Sequence, residues 1–155
     1  PHTDNKYGTA LCLRTLKPDY EIITEIKDQQ AIFSGLTLYG DKDNLILFGK
    51  EDGNIILKQI KKGEEQVLHQ KHETGHIHLK ISISEGCYAS FFLSTDRKEW
   101  HLLPVNHPGA IGPVKEQKYN LSYLPPWDRA FRPGLIHIGN KDIPAEFTYC
   151  TLNYK

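Results

Sequence analysis

"HIHLKISIS", His76–Ser84, is the stretch that decides the fold. Ile77, Leu79, Ile81 and Ile83 alternate with His76, His78, Lys80 and Ser82, and a period of two puts the first set on one face of an extended chain and the second on the other. A helix would scatter the four aliphatic residues around its circumference. The stretch therefore reads as a strand with its apolar face on a core. "YASFFLST" (Tyr88–Thr95) repeats the pattern, with Ala89, Phe91 and Leu93 against Tyr88, Ser90 and Phe92. Its second face keeps two aromatic rings, so that face is either covered or lines a groove.

Outward from this pair the same short runs recur: "TALCLRTL", "YEIITEIK", "IFSGLTLYG", "NLILFG", "NIILKQIKKG", "EQVLHQ", "EWHLLPV", "AFRPGLIHIG" and "AEFTYCTLNY". Between them stand "GDKDN", "KEDGN", "IKKGEE" and "STDRKE", polar links of the length that reverses a chain between antiparallel strands. Ten or eleven strands at hairpin spacing need two facing sheets, because one open sheet of that size would leave an apolar face in water. The expected fold is all-β, a two-sheet antiparallel sandwich. Asn106–Pro126, rich in Pro and Gly, breaks the rhythm and reads as a long loop.

At 155 residues, 39% hydrophobic and 25% charged, the chain has the size and composition of one domain spanning 1–155. Nineteen basic residues balance nineteen acidic ones, so no net field draws it to nucleic acid or an anionic membrane. No run of about 18 apolar residues would span a bilayer. The chain opens "PHTDNKYG" and contains no Met, which is expected of a processed chain or of a piece cut from a longer protein. Cys12, Cys87 and Cys150 lack the spacing of a zinc or redox site. If the two terminal strands pair, Cys12 and Cys150 become neighbours and a disulfide between them is an open reading; buried free thiols are the other.

"YLPPWDRAFRPGL" (Tyr123–Leu135) holds the leading binding candidates. Pro125 and Pro126 stiffen the stem that presents Trp127, while Asp128 and Arg129 offer an acceptor and a fixed fork of donors for sugar hydroxyls. The plainer reading tucks Trp127 over the end of the core. Tyr88, Phe92 and His78 form an alternative aromatic and polar face. Asp41, Asp43 and Asn44 are oxygen donors at a spacing calcium accepts, but the alternating series of an EF-hand is missing and a structural turn explains them as well. His76 and His78 would hold a metal only if His69 or His72 came alongside. Glycoside hydrolysis needs two carboxylates across one cleft. Asp96 and Glu99 are the tempting local pair, and nothing else in the sequence marks an active site. "STDRKEW" (Ser94–Trp100) falls short of an Asp-box hairpin because Arg97 stands where a Gly would permit the turn.

Taken in order, "RTLKPDYEIITEI", "SGLTLYGDKDNLILFG", "FFLSTDRKEWHLL" and "YLPPWDRAFRPGL" resemble the concanavalin A-like sandwich domains of family 43 glycoside hydrolases, the β-xylosidase C-terminal domain in particular. The matching positions are Pro18–Tyr20, Ser34–Tyr39 with Asp41–Asn44, and Ser94–Trp100, over roughly Thr9 to Tyr154. Arg97 departs from the family's Gly and implies a turn with a different φ. The resemblance implies a jelly-roll sandwich in an extracellular or periplasmic setting, with oligo- or polysaccharide and a catalytic domain as partners. It locates a fold more firmly than a function. Three functions are carried forward: a non-catalytic carbohydrate-binding or accessory module, a structural domain packing on a partner domain, and a small glycoside hydrolase with an unseen carboxylate pair.

Overall fold

The computed structural model describes residues 7–27, 32–124, 130–139 and 145–155. These form β1 (Thr9–Cys12), β2 (Tyr20–Ile26), β3 (Phe33–Asp41), β4 (Asn44–Glu51), β5 (Asn54–Lys61), β6 (Glu64–His72), β7 (Ile77–Ser84) and β8 (Tyr88–Ser94). β9 (His101–Leu103), β10 (Ala110–Ile111), β11 (Lys118–Asn120), β12 (Arg132–Ile138) and β13 (Phe147–Tyr154) follow, with one turn of 3-10 helix at Val114–Glu116. Two antiparallel sheets result. The first runs β1-β12-β3-β4-β5-β6; the second runs β10-β11-β8-β7-β2-β13, with β9 also on β8.

The hairpins follow from the turn chemistry. Asp52 and Gly53 take φ of 49° and 74°, and Lys62 and Gly63 take 52° and 79°. Two successive left-handed residues match the right-handed twist of the strands they join, so β4-β5 and β5-β6 close in two residues each. At β3-β4 the Asp41 carboxylate accepts the Asp43 N–H at 2.8 Å and the Asn44 side-chain amide at 2.9 Å.

Ile77, Leu79, Ile81 and Ile83 of β7 are buried, as are Ala89, Phe91 and Leu93 of β8, facing Leu36, Leu38, Ile46, Phe48, Ile55 and Leu57 of the first sheet. Phe48 and Phe91 meet edge to face across the layers, 5.5 Å between centroids. Each such side chain contributes about 1.5–3 kcal/mol by leaving water. A second apolar cluster occupies the opposite face of the first sheet, where Phe33, Leu45, Leu47, Ile56, Ile60 and Ile136 pack with Tyr7. β4 and β5 are thus buried on both faces, which is why "NLILFG" and "NIIL" are unbroken apolar runs rather than alternating ones.

The sandwich agrees with the sequence reading, and two expectations need correcting. Asn106–Pro126 is not a bare loop: it contributes β10, the 3-10 turn and β11, and buries Tyr119 in the core. The Tyr119 hydroxyl is satisfied there by the Gln59 side-chain oxygen at 2.6 Å. The terminal strands do not pair. β1 lies on β12 in the first sheet and β13 on β2 in the second, so Cys12 and Cys150 belong to different layers, and all three thiols are free.

Candidate functional site

The polar face of β7 and β8 points out of the second sheet, and side chains from three other segments converge on it. Because β7 lies between β8 and β2, with β13 beyond β2, residues distant in sequence share this surface. Phe92 pairs with Lys80 across β8 and β7, and His78 pairs with Ser94 one step further along. Tyr88 is on the same face but pairs with Ser84 at the far end of β8. The structure therefore brings Phe92 and His78 together and leaves Tyr88 apart.

Lys80 completes the first half of the site. Its ammonium lies 4.7 Å from the Phe92 ring centroid and 4.4 Å from that of Trp100, so two aromatic rings share one cation. Trp100 is delivered by the Ser94–Trp100 turn. There the buried Ser94 hydroxyl accepts the Arg97 N–H at 2.8 Å, and the Asp96 carboxylate accepts the N–H groups of Lys98 and Glu99 at 2.8 and 3.0 Å. Those two N–H donors, Glu99's first, hold the Asp96 carboxyl below the usual carboxylate range. Asp96 thereby organises the turn that presents Trp100.

Arg97 corrects the sequence reading of this turn. It adopts φ 63°, the left-handed conformation a Gly would take, so the turn is the one a Gly would make and the arginine bears the strain. That strain costs about 1–2 kcal/mol. The Arg97 guanidinium lies 4.4 Å from the centre of the Tyr149 ring. An exposed contact of this kind returns about 0.5–1 kcal/mol, which offsets part of the strain.

Tyr149 reaches the site through a bulge in β13. Phe147 pairs with Ile26 and Cys150 with Thr24, so three steps on β13 match two on β2, and the Thr24 hydroxyl holds the Tyr149 carbonyl at 2.6 Å. The Tyr149 ring spans β2 to meet His78 on β7: its hydroxyl is 2.8 Å from the imidazole Nδ1, and the rings stack at 29° with centroids 6.0 Å apart. Burial, partly offset by Arg97, raises the phenol's pKa above its ordinary value. Of the acids on this face, Glu21 lies 3.4 Å from the Lys155 ammonium and Glu25 lies 3.7 Å from the His76 imidazole, an ion pair only when that ring is protonated. The surface so assembled can present partly exposed ring faces, a hydroxyl, an imidazole and two cations to a flat polar ligand.

Lys80 was legible from the period that found His78. Trp100, Arg97 and Tyr149 were not assigned to this face, because one depends on a turn and another on a bulge. Trp127, Asp128 and Arg129 lie outside the described residues. Asp41, Asp43 and Asn44 sit together in the β3-β4 turn, where the Asp41 carboxylate is taken up by the other two. His69 and His72 are on β6 in the first sheet, while His78 is on β7 in the second. Among the described residues no three His, Cys, Asp or Glu side chains come together as a metal ion would require.

No family model and no curated protein matches this chain. Among solved structures it is similar to the GH43 BlXynB protein from Bacillus licheniformis, with a TM-score of 0.72 and 17% identity over 95% of this chain and 30% of that one. Xylan β-1,4-xylosidase from Bacillus halodurans C-125 gives 0.73 and 14% over 94% and 30%. Sheep galectin-11, solved in complex with glycerol, gives 0.50 and 14% over 96% and 97%. The chain thus spans about a third of the length of these two Bacillus proteins. At these identities the likeness is one of fold: an all-β jelly-roll sandwich of the kind carried within GH43 proteins.

Proposed function

We propose that this chain is a non-catalytic carbohydrate-binding module that works beside a glycoside-cleaving domain, outside the cytoplasm where polysaccharide is met. The observation that carries the proposal is the aromatic and cationic surface of the second sheet, where Phe92, Trp100, Tyr149 and His78 converge from β8, β9's approach, β13 and β7. Ring faces offer stacking to the CH face of a sugar, and the flanking donors select among hydroxyls. A GH43 protein and a xylan β-1,4-xylosidase that share this fold over about a third of their length supply the context. Trp127, Asp128 and Arg129 are the second contact set within this proposal.

A hydrolytic reading would need two carboxylates open to a sugar. Glu51 and Glu65 converge in the first sheet, but both are held on the Lys58 ammonium, at 2.6 and 2.9 Å. Retention on insoluble xylan and other plant polysaccharides tests the proposal directly. Trp100→Ala should lose most of the retention while the melting temperature stays within a few degrees, because the ring is only half-buried. Retention unchanged in both Trp100→Ala and Trp127→Ala, or absent from the wild-type chain, would favour instead a domain that packs on a partner domain.

A further inference from the structure

The site just proposed as glycan-binding carries a charge pattern that narrows its ligand, and the narrowing rests on that proposal. Among the described residues neither Lys80 nor Arg97 has a carboxylate partner, while of the acids on the same face Glu21 pairs with Lys155 at 3.4 Å and Glu25 lies 3.7 Å from the His76 imidazole. Lys80 and Arg97 are instead positioned by rings, at 4.4 Å from Trp100 and 4.4 Å from Tyr149 respectively. A cation held over a ring keeps its outer side open to an anion. A strictly neutral glycan would gain little from two such charges.

We propose that this face selects glycans bearing carboxylate groups, that is uronate-containing chains, with the sugar ring against Trp100 or Tyr149 and the carboxylate on the Lys80 ammonium or the Arg97 fork. The guanidinium matches a carboxylate in two-point geometry. A nucleic acid is the weaker fit. It carries one charge per nucleotide and calls for a continuous basic track, whereas this chain balances nineteen basic with nineteen acidic residues and Glu21 and Glu25 stand on the same face.

The test is calorimetric titration and affinity electrophoresis of the whole chain with polygalacturonate, its methyl-esterified form, neutral xylan and poly-glutamate. Polygalacturonate is expected to bind about ten-fold tighter than its ester at low salt, with the preference shrinking as NaCl is added. Lys80→Gln and Arg97→Gly should each bring that ratio towards one. Arg97→Gly keeps the turn, since its φ of 63° is one a Gly adopts freely, so a loss in this variant is not a loss of fold. Equal affinity for acid and ester, or binding of xylan alone, would overturn the inference and leave the carbohydrate proposal standing. Failure to bind any glycan overturns both. Poly-glutamate bound as tightly as polygalacturonate would overturn the inference in favour of an acidic peptide.

Discussion

Gly49 faces Gly35 across the β3-β4 pair. A methyl group on Gly49 would stand 2.1 Å from the Ser34 carbonyl oxygen and 2.8 Å from the Gly35 Cα, and both are backbone atoms that cannot swing aside. Gly49→Ala is therefore expected to cost more than about 3 kcal/mol, read as a lower urea midpoint at unchanged slope. A loss below about 1 kcal/mol would mean that the two strands part easily. Nothing in "SGLTLYG" or "LILFG" announces this contact, because it depends on which glycine lies opposite which. Arg97 makes the same point from the other side: its left-handed φ is imposed by the Ser94 hydroxyl and the Asp96 carboxylate holding the N–H groups around it.

Among the elements, β5 carries the most informative polar residue. Lys58 stands between β4 and β6, with its ammonium 2.6 Å from Glu51 and 2.9 Å from Glu65. Burial favours the neutral amine, but the hydrogen bonds it donates to both carboxylates prevail and the Lys58 pKa is raised. Lys58→Met would leave two carboxylates facing one another without their cation. The expected loss is about 1–3 kcal/mol at pH 7, discounted for the solvent that Glu65 still meets. Because the deficit comes from like-charge repulsion, it should be present at neutral pH and fade as the pH falls towards 4. Urea unfolding of both proteins at pH 7 and pH 4 checks this, and a deficit equal at both would refute it. The runs that became β3, β4 and β5 were plain in the sequence because each is long and apolar. β10 and β11 are two and three residues long, too short to display a period, and they exist because β8 offers an edge for β11.

For the molecule as a whole, stability should respond to acid through His69. Burial lowers its pKa below the ordinary 6.5, with a contribution from Lys71 and a partial offset from the Pro104 carbonyl. The unfolded chain therefore binds this proton at a higher pH than the folded one. Stability from this group is complete above about pH 6.5 and is lost as the pH falls from there towards the folded value. His69→Gln should flatten the wild-type slope of unfolding free energy between about pH 5 and 6.5; an unchanged slope would assign it to other groups. The two-residue period of "HIHLKISIS" and the paired left-handed positions at Asp52-Gly53 and Lys62-Gly63 act over a few residues, so strands, hairpins and a two-layer fold could be read from the sequence alone. The order of strands within each sheet, the bulge that carries Tyr149 over β2 to His78, and the separation of Cys12 from Cys150 were decided only by the tertiary structure. Each is set by which distant apolar faces bury one another, and no local pattern encodes that choice.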